Sequence, residues 1–262
     1  MRKSLPNLPK GLFLSVVIPA YNEVENFKRG VLDQIFNYLK SVKFSWEVIL
    51  VNDGSTDETP ILLENFVKRF SGFRLVNISH GGKLKAIEAG LNKAQGYVIL
   101  ISDFDQSTPI SEFNKFLPNL EKDTDIVIGD RVSRGAERIN DPFFRYFRSR
   151  ILNFLIKIFL FGGISDTQCG FKALKTTVAK KLLPNLKITH SAKPKGAFMG
   201  PWDIELLFLA KKGKFKIAQV PVTWQYFPSK RLSVISEPVK FLIDIFKIKL
   251  FDLLGRYNAV FK

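Results

Sequence analysis

The sequence is poor in cysteine and histidine. Its 262 residues include one cysteine, Cys169, and two histidines, His80 and His190. A single cysteine excludes an intramolecular disulfide, and so few thiols and imidazoles leave no tetrahedral zinc cluster. The composition is compatible with a cytosolic or cytosol-facing location.

Long apolar runs are also missing. No segment reaches the ~20 apolar residues that a membrane-spanning helix needs. The longest candidate, Ile151–Ile164, is interrupted by Lys157 and by the pair Gly162-Gly163. The N-terminus, MRKSLPNLPKGLFLSVVIPA, has the basic residues and apolar run of a signal peptide. Because its prolines precede a short apolar run, we interpret that run as a first core strand.

The net charge of +16 is confined to the second half of the chain. Residues 1–128 contain 15 Lys and Arg against 15 Asp and Glu, whereas residues 129–262 contain 25 against 9. This excess predicts an anionic partner for the second half: nucleic acid, anionic lipid or a phosphorylated substrate. A basic surface that serves only solubility is the alternative. We expect no nucleic acid, because no recognised nucleic-acid module is present.

The first half alternates between β-rich and helical patterns, which implies a mostly parallel sheet with helices on both faces. Its strands read as unbroken apolar runs, as expected for a sheet buried on both sides. A helix is expected over residues 24–42, a second from an N-cap at Ser55 with Glu58 completing a capping box, a third over 83–94 and a fourth from Thr108. The predicted strands are Leu12–Pro19, Trp46–Val51, Phe73–Ile78, Tyr97–Ser102 and Asp125–Gly129.

Four polar clusters follow the first four predicted strands. They read PAYNE (19–23), NDGSTD (52–57), SHGGK (79–83) and SDFDQ (102–106). Ligands of open α/β sheets bind outside the carboxyl ends of the strands, so these clusters predict one site at one edge of the sheet.

Two carboxylates in the last cluster, Asp103 and Asp105, can turn toward one hard divalent cation such as Mg²⁺ or Mn²⁺. In the alternative interpretation, Asp103 caps a backbone turn and Asp105 is solvated. Asp53 can accept a base N–H, or it belongs to a plain Asp-Gly turn. Lys83 follows two glycines, but the segment does not match the phosphate loop, and no G-x-G-x-x-G follows the first strand, which disfavours a dinucleotide oxidoreductase.

The second half has a different pattern. Helical spacing is found over Phe143–Phe161, where Phe143, Phe144, Phe147 and Phe154 beside arginines suit a membrane-interfacial helix. DTQCGFK (166–172) indicates a loop that enters a strand, Trp202–Ala210 a short helix and Phe215–Trp224 a strand. The amphipathic pattern of Ser236–Tyr257 predicts a helix that either packs on the core or lies at a membrane surface.

Several of these motifs together resemble the family 2 glycosyltransferases of GT-A fold: SVVIPAYNE, VILVNDGSTDET, GGKLKAIEAG, DFDQ and GDRVSRG. The further motifs DTQCGFK, PWDIELL and VPVTW are similar to the dolichyl-phosphate β-glucosyltransferase branch, which is related to dolichyl-phosphate mannose synthase. The resemblance runs roughly from Leu14 to Arg231. It implies a GT-A catalytic domain over residues 1–235, followed by the amphipathic helix in 236–262.

The resemblance also implies roles for residues. Asp105 would be the principal metal ligand, with Asp103 beside it near the ribose and Gln106, Ser107 or water as a third ligand. Arg131 would reach phosphate, and Lys83 would lie near the nucleotide. Asp203 would be the general base if the acceptor is a hydroxyl, or would orient the sugar. In the alternative interpretation, Asp203 and Glu205 are acidic residues at a helix N-terminus, where their negative charge interacts favourably with the helix dipole. The remaining implied contacts fall into three groups: Pro19, Ala20, Tyr21, Glu23 and Asp53 around the nucleotide; Asp166, Gln168, Trp202, Asp203 and Glu205 around the sugar and acceptor; Lys230 and Arg231 in a basic loop that closes on phosphates.

Two positions depart from the family pattern. Gln106 directly follows the second aspartate, so that Ser107 holds the place of the usual glutamine, and Leu84 replaces a glycine after Lys83. The implied activity is an inverting, metal-dependent transfer of a hexose, glucose, from a nucleotide sugar, UDP-glucose, to polyprenyl or dolichyl phosphate. The enzyme would be peripheral on the cytosolic face of a membrane. The alternatives are a family 2 transferase acting on a glycan hydroxyl and a non-catalytic basic adaptor at a membrane surface.

Overall fold

The computed structural model describes residues 11–122, 124–191, 201–228 and 236–261. The strands are β1 (Leu14–Ala20), β2 (Trp46–Asp53), β3 (Phe73–Ile78), β4 (Val98–Ile101), β5 (Ile126–Asp130), β6 (Glu137–Ile139), β7 (Lys172–Lys175), β8 (Ile217–Pro221) and β9 (Thr223–Gln225). The α-helices are α1 (Val24–Lys28), α2 (Val31–Ser41), α3 (Thr59–Arg69), α4 (Lys83–Lys93), α5 (Leu117–Leu120), α6 (Phe143–Phe159), α7 (Thr176–Leu182), α8 (Lys187–Ser191), α9 (Trp202–Lys212) and α10 (Ser236–Leu253).

The main sheet has the order β3-β2-β1-β4-β7-β5-β8. Strands β1 to β4 are parallel to one another, as are β5 and β8, whereas β7 runs antiparallel between β4 and β5. Strands β6 and β9 form a separate parallel pair. The predicted α/β fold with a mostly parallel sheet is therefore confirmed, and β7 is the exception within it.

The sheet is buried on both faces, which explains its unbroken apolar strands. Residues of β1 alternate between two apolar clusters: Val16 and Ile18 face the layer that contains α2 and α3, and Val17 faces the layer that contains α4, α9 and α10. Gly90 of α4 lies directly against Val17, where a Cβ atom would overlap the valine side chain, so the glycine sets how closely α4 approaches the sheet.

Four predicted elements differ in the structure. The helix expected from Thr108 is a 3₁₀-helix over Ile110–Lys115, followed by the short α5. The helix expected over 24–42 is two helices, because Gly30 between them has a φ of 71° that breaks the helical path. The helix expected from Ser55 begins at Thr59 without a side-chain cap, and the Ser55 hydroxyl instead accepts the Asn22 N–H at 3.0 Å. The capping-box prediction was therefore wrong.

The strand expected over Phe215–Trp224 is divided between two sheets. Strand β8 ends at Pro221, and β9 begins at Thr223 in the small sheet. Between them, the Val222 N–H donates to the Asp130 carbonyl at 3.0 Å, which turns the chain at the edge of the main sheet.

Helix α10 packs beside α6 through the rings of Phe159 and Phe246, whose centroids are 5.2 Å apart. Its residues Ile245 and Ile248 are buried in the core, whereas its opposite face is exposed. In the described ranges, no helix combines the length and the apolar character needed to cross a membrane.

Candidate active site

The turns after β1 to β4 contact one another in strand order. The Asn22 carboxamide accepts the Thr56 N–H at 2.8 Å, which joins the turns after β1 and β2. The Asp53 carboxylate accepts the backbone N–H groups of Gly81 and Gly82 at 2.7 and 2.9 Å, joining the turns after β2 and β3. Lys83 forms an ion pair with Asp103 after β4. The four polar clusters thus form one continuous edge, as their positions at strand ends predicted.

Asp53 organises an aromatic pair at this edge. Its carboxylate is buried and lies 3.0 Å from Nδ1 of His80, and the His80 ring stacks on Tyr21 with centroids 4.3 Å apart. Gly54 makes the arrangement possible, because it has a φ of 64° and a Cβ atom there would lie 2.6 Å from the His80 backbone nitrogen. Each carboxylate oxygen can accept more than one hydrogen bond, so the predicted contact of Asp53 with a base stays a prediction. His80 was not assigned a role from the sequence, although it lies within the SHGGK cluster.

Lys83, at the start of α4, carries the charge that balances the two predicted metal ligands. Burial alone would lower the pKa of Lys83, but the charges of Asp103, Asp203 and Asp105 outweigh it and the pKa is raised. Burial alone would raise the pKa of Asp103, but the nearby charges of Lys83, Lys172 and Arg131 lower it. Lys83 and Asp103 therefore form a charged pair.

Asp105 differs from Asp103 in that its pKa is raised. Burial raises its pKa, and so does the charge of Asp103, whereas the hydrogen bond from the Ser107 N–H at 2.9 Å opposes the shift. A carboxylate that burial and a neighbouring anion make costly to ionise gains from a nearby cation. This electrostatic environment favours a cation beside Asp105.

Gln106 does not have the free amide that a metal ligand needs. Its Nε2 donates to the Ser102 hydroxyl at 3.0 Å and to the Asp103 carbonyl at 2.9 Å, and its Oε1 accepts the Ile110 N–H at 2.9 Å. The side chain is buried and the backbone φ is 51°. Gln106 holds the turn after β4, which contradicts its predicted role as a third ligand.

Arg131 and Asp166 form a second ion pair beside the carboxylates. Arg131 donates from Nε to Oδ2 of Asp166 at 2.6 Å and from its Nη2 to Oδ1 at 2.9 Å, and its backbone N–H adds a third bond. Burial alone would raise the pKa of Asp166, but Arg131 lowers it to about 2. Oδ1 of Asp166 also accepts the Gln168 N–H at 3.2 Å. Asp166 therefore fixes Arg131 and its own loop, and its predicted direct contact with the substrate stays a prediction.

Trp202, at the start of α9, lies close to two lysines. The ammonium groups of Lys83 and Lys172 lie 5.4 and 5.3 Å from its ring centroid. Lys172 is fully buried and donates to the carbonyl oxygens of Thr167 and Cys169, so it braces the loop that carries Asp166. It is a residue that sequence reasoning missed, although it ends the DTQCGFK motif.

Asp203 follows Trp202 and points a buried carboxylate oxygen, Oδ1, into this group without accepting a hydrogen bond from any residue that the structure describes. Burial raises its pKa, Lys172 and Lys83 lower it, and the net shift is upward. A buried polar atom that no protein group pairs can accept a hydrogen bond from a ligand or a water molecule. The predicted substrate contacts of Trp202 and Asp203 stay predictions that this geometry supports.

Glu205 has no contact left for a substrate. Its carboxylate is fully buried and accepts the N–H groups of Ile188 and Thr189 at 2.9 and 3.0 Å, the Thr189 hydroxyl at 2.8 Å and the Tyr257 hydroxyl at 2.7 Å. These bonds tie α9 to α8 and to the C-terminal segment. The predicted role of Glu205 at the sugar was therefore wrong, because the fold itself uses both oxygens.

The other predicted residues lie at the same edge of the sheet or outside the residues that the structure describes. Pro19 and Ala20 end β1, and the Glu23 N–H donates to the Thr59 hydroxyl at 2.7 Å. Lys230 and Arg231 fall outside the described residues.

A divalent cation fits the donor set that remains. The described ranges contain no cluster of three or more His, Cys, Asp or Glu side chains placed to hold a metal ion. Asp103 and Asp105 offer carboxylate oxygens only, which suits Mg²⁺ or Mn²⁺, ions that usually keep positions for substrate phosphates and water.

Comparison with known proteins agrees with this geometry. Residues 15–183 match Glycosyl transferase family 2. The dolichyl-phosphate beta-glucosyltransferase ALG5A of Trichomonas vaginalis is 33% identical over 95% of this chain and 77% of its own length. The dolichyl-phosphate beta-glucosyltransferase of Dictyostelium discoideum is 32% identical over 93% of this chain and 76% of its own.

Solved structures share the fold at low sequence identity. Glucosyl-3-phosphoglycerate synthase from Mycobacterium tuberculosis, in complex with phosphoglyceric acid, has a TM-score of 0.64 at 19% identity, covering 91% of this chain and 80% of its own. Mannosyl-3-phosphoglycerate synthase from Rubrobacter xylanophilus has a TM-score of 0.63 at 15% identity, covering 94% and 76%. These likenesses show the GT-A fold. The family match covers more than half of the chain, and so the protein belongs to glycosyl transferase family 2 and is a glycosyltransferase.

Proposed function

We propose that this enzyme transfers glucose from UDP-glucose to dolichyl or polyprenyl phosphate, with inversion at the anomeric carbon. Relatives named dolichyl-phosphate beta-glucosyltransferase match nearly the whole chain at 32–33% sequence identity, which supports this acceptor and this sugar. The observation in the structure that carries the proposal is the meeting of two partly buried carboxylates, Asp103 and Asp105, with three cations, Lys83, Lys172 and Arg131. Such a site can hold a cation-bound diphosphate and attract an anionic acceptor.

The turns after β1 to β4 support a nucleotide sugar as the donor. Tyr21 and His80 offer a stacked aromatic surface beside the Asp53 carboxylate, a combination that suits a nucleobase. Asp103 and Asp105 would hold a Mg²⁺ or Mn²⁺ ion, which when bound supplies charge neutralisation for a departing diphosphate. A Mycobacterium tuberculosis neighbour of the same fold, with a TM-score of 0.58 and 20% identity, was solved with Mn²⁺ and uridine diphosphate.

The chemical step forms one bond and breaks one. An oxygen of the acceptor phosphate attacks the anomeric carbon, and the bond from that carbon to the diphosphate oxygen breaks, so the electron pair leaves with the nucleoside diphosphate. The acceptor is already an anion at neutral pH, so no proton has to be removed from it. In this reaction the protein orients the reactants and stabilises charge: Asp203 holds the sugar, and Arg131, fixed by Asp166, faces phosphate oxygens.

A glycan hydroxyl acceptor is the second candidate, favoured by one observation. Asp203 has a raised pKa and a buried oxygen to which no described residue donates, as a general base for a hydroxyl requires. Asp203→Asn separates the two: a hydroxyl-accepting enzyme would lose nearly all turnover, whereas a phosphate-accepting one would retain a substantial part. Family membership favours both enzymes over the non-catalytic adaptor.

The test is a transfer assay with purified protein, Mg²⁺ or Mn²⁺ and labelled UDP-glucose, with polyprenyl phosphate in one arm and soluble glycans in the other. We expect label in the organic phase of the first arm. A matched screen with GDP-linked and other UDP-linked sugars tests the donor. The absence of labelled lipid with every donor would refute the proposal, and label only on the glycans would favour the second candidate.

A further inference from the structure

Helices α6 and α10 together expose a large apolar surface. On α10 the exposed side chains are Ile243, Phe246, Leu250 and Leu253, with Leu254 directly after the helix, and on α6 they are Phe143, Ile151, Phe154, Ile158 and Phe159. Phe154 is 61% exposed and Leu253 is 74% exposed, although both belong to helices that are anchored in the core. We call these ten side chains the α6/α10 face.

The apolar residues form a stripe on each helix. At about 100° per residue, the four exposed apolar side chains within α10 fall within an arc of roughly 80°. Buried Ile245 and Ile248 lie on the other side of the same helix. Helix α10 therefore has two apolar sides, one for the core and one for an external medium. The contact between Phe159 and Phe246 joins the stripes of the two helices.

Basic residues border both stripes. On α10, exposed Lys247 and Lys249 fall on opposite sides of the stripe; on α6, exposed Arg150 and Lys157 lie along one side. The sequence of α6 contains no Asp or Glu. Lysine and arginine side chains beside an apolar stripe place their charges at the level of lipid headgroups while their stems cover apolar surface. A second copy of this face would instead bring like charges together, which disfavours self-association.

Both helices are also connected to the active site. The Asn153 carboxamide of α6 accepts the Thr167 hydroxyl at 3.0 Å, beside the Asp166 that fixes Arg131. Beyond α10, Tyr257 donates to Glu205 of α9, the helix that begins with Trp202 and Asp203. An acceptor whose phosphate projects from a bilayer under this face would meet the elements that carry the site.

We propose that the α6/α10 face is the membrane-docking surface of this enzyme, and that it lies in the headgroup region of an anionic bilayer. The inference rests on the proposed function in one respect, since a lipid-phosphate acceptor gives the docking its purpose. The binding itself requires no sugar transfer and can be measured without a donor.

The experiment measures binding of the full chain to phosphatidylcholine vesicles with and without phosphatidylserine, by flotation. The double variant Phe154→Glu with Leu250→Glu should bind at least about tenfold more weakly, because it places carboxylates in the apolar stripe. Lys157→Glu with Lys249→Glu should remove most of the preference for phosphatidylserine. The matched control is Ile61→Glu: Ile61 is 63% exposed, but α3 packs on the opposite face of the sheet.

Wild-type affinity of the Phe154/Leu250 variant for vesicles would overturn the proposal. Failure of the wild-type protein to bind vesicles would also overturn it. In that case, a dimer in analytical ultracentrifugation that the Phe154/Leu250 variant dissociates would show that the face binds a second copy instead. A companion assay compares transfer to long-chain polyprenyl phosphate in vesicles with transfer to a dispersed short-chain acceptor, and the variant should be impaired far more in the first. Vesicle binding as expected with no transfer to any acceptor would refute the proposed function and leave the docking surface supported.

Discussion

The regions before and after Ile126, the first residue of β5, supply different parts of the site. The earlier region places turns of neighbouring parallel strands side by side, and its buried Asp53 accepts hydrogen bonds from the backbone N–H groups of Gly81 and Gly82. The later region contributes long-range charge pairs, with Arg131 held by Asp166, and the buried lysine Lys172. The earlier region contains equal numbers of acidic and basic residues, whereas the later one carries the excess of positive charge.

The two regions meet at Asp103. Its carboxylate pairs with Lys83 from the earlier region and feels the charges of Lys172 and Arg131 from the later one. Gly170, in the loop before β7, lies against the same carboxylate. The carboxylates thus come from a regular sheet edge, while their electrostatic environment depends on an antiparallel strand inserted between β4 and β5. Four variants test this division.

Asp105→Ala should have the largest effect, because it removes the carboxylate that we propose as principal metal ligand. We expect turnover to fall about a thousandfold, which is about 4 kcal/mol in the barrier, with the fold retained. Steady-state transfer assays and Mn²⁺ titration by calorimetry would measure it. Asp33→Ala, at an exposed position on α2, is the control. Undiminished metal-dependent turnover would remove Asp105 from the mechanism.

Asp166→Asn tests the charge pair of the later region. It leaves the Arg131 guanidinium buried without a counter-charge, so the free energy of unfolding should fall by about 3 kcal/mol at pH 7. The pKa of Asp166 is lowered from 3.8 to about 2 in the folded protein, so its stabilisation is fully present above pH 4 and is lost as the pH falls toward 2.

Urea unfolding between pH 7 and pH 3 would therefore show a difference between wild type and Asp166→Asn that shrinks at low pH. Glu25→Gln, which removes an exposed pair with Lys28, should change little. A difference that is constant with pH would mean that Asp166 acts through packing and not through its charge.

Gly170→Ala tests the contact between the two regions. A Cβ atom at this position would overlap the Asp103 carboxylate, and the backbone there has no positive φ, so the effect comes from space alone. Displacing the carboxylate should lower turnover about a hundredfold while the melting temperature changes little. Gly162→Ala, where no atom lies within 4 Å of the added Cβ, is the matched control. Equal activity of the two variants would show that the two regions are not coupled through Asp103.

Tyr257→Phe should have the smallest effect. It removes the hydrogen bond to the buried carboxylate of Glu205, and we expect the free energy of unfolding to fall by about 2 kcal/mol. Tyr97→Phe, at an exposed tyrosine, is the control. A loss of transfer activity much larger than the loss of stability would show that Glu205 acts at the substrate site after all.

The alternation of apolar strands and helices predicted the sheet, and the polar residues after each strand predicted the edge at which Asp53, Lys83, Asp103 and Asp105 gather. These predictions succeeded because hydrophobic periodicity and strand-end chemistry are local properties. The same reasoning missed the break at Gly30 and placed a helix start at Ser55. At Ser55 a contact with Asn22, from another turn, replaced the local cap.

The amino-acid sequence alone was enough to predict the fold class, the edge that holds the site and the acidic residues at its centre. The packed structure was needed to show that Gln106 and Glu205 hold the fold together, that Asp166 holds Arg131, and that Lys172 is buried close to Trp202. It also showed that α10 has a buried and an exposed apolar side. The physical reason is that the partner of a buried polar group lies far away along the chain, and periodicity carries no information about such pairs.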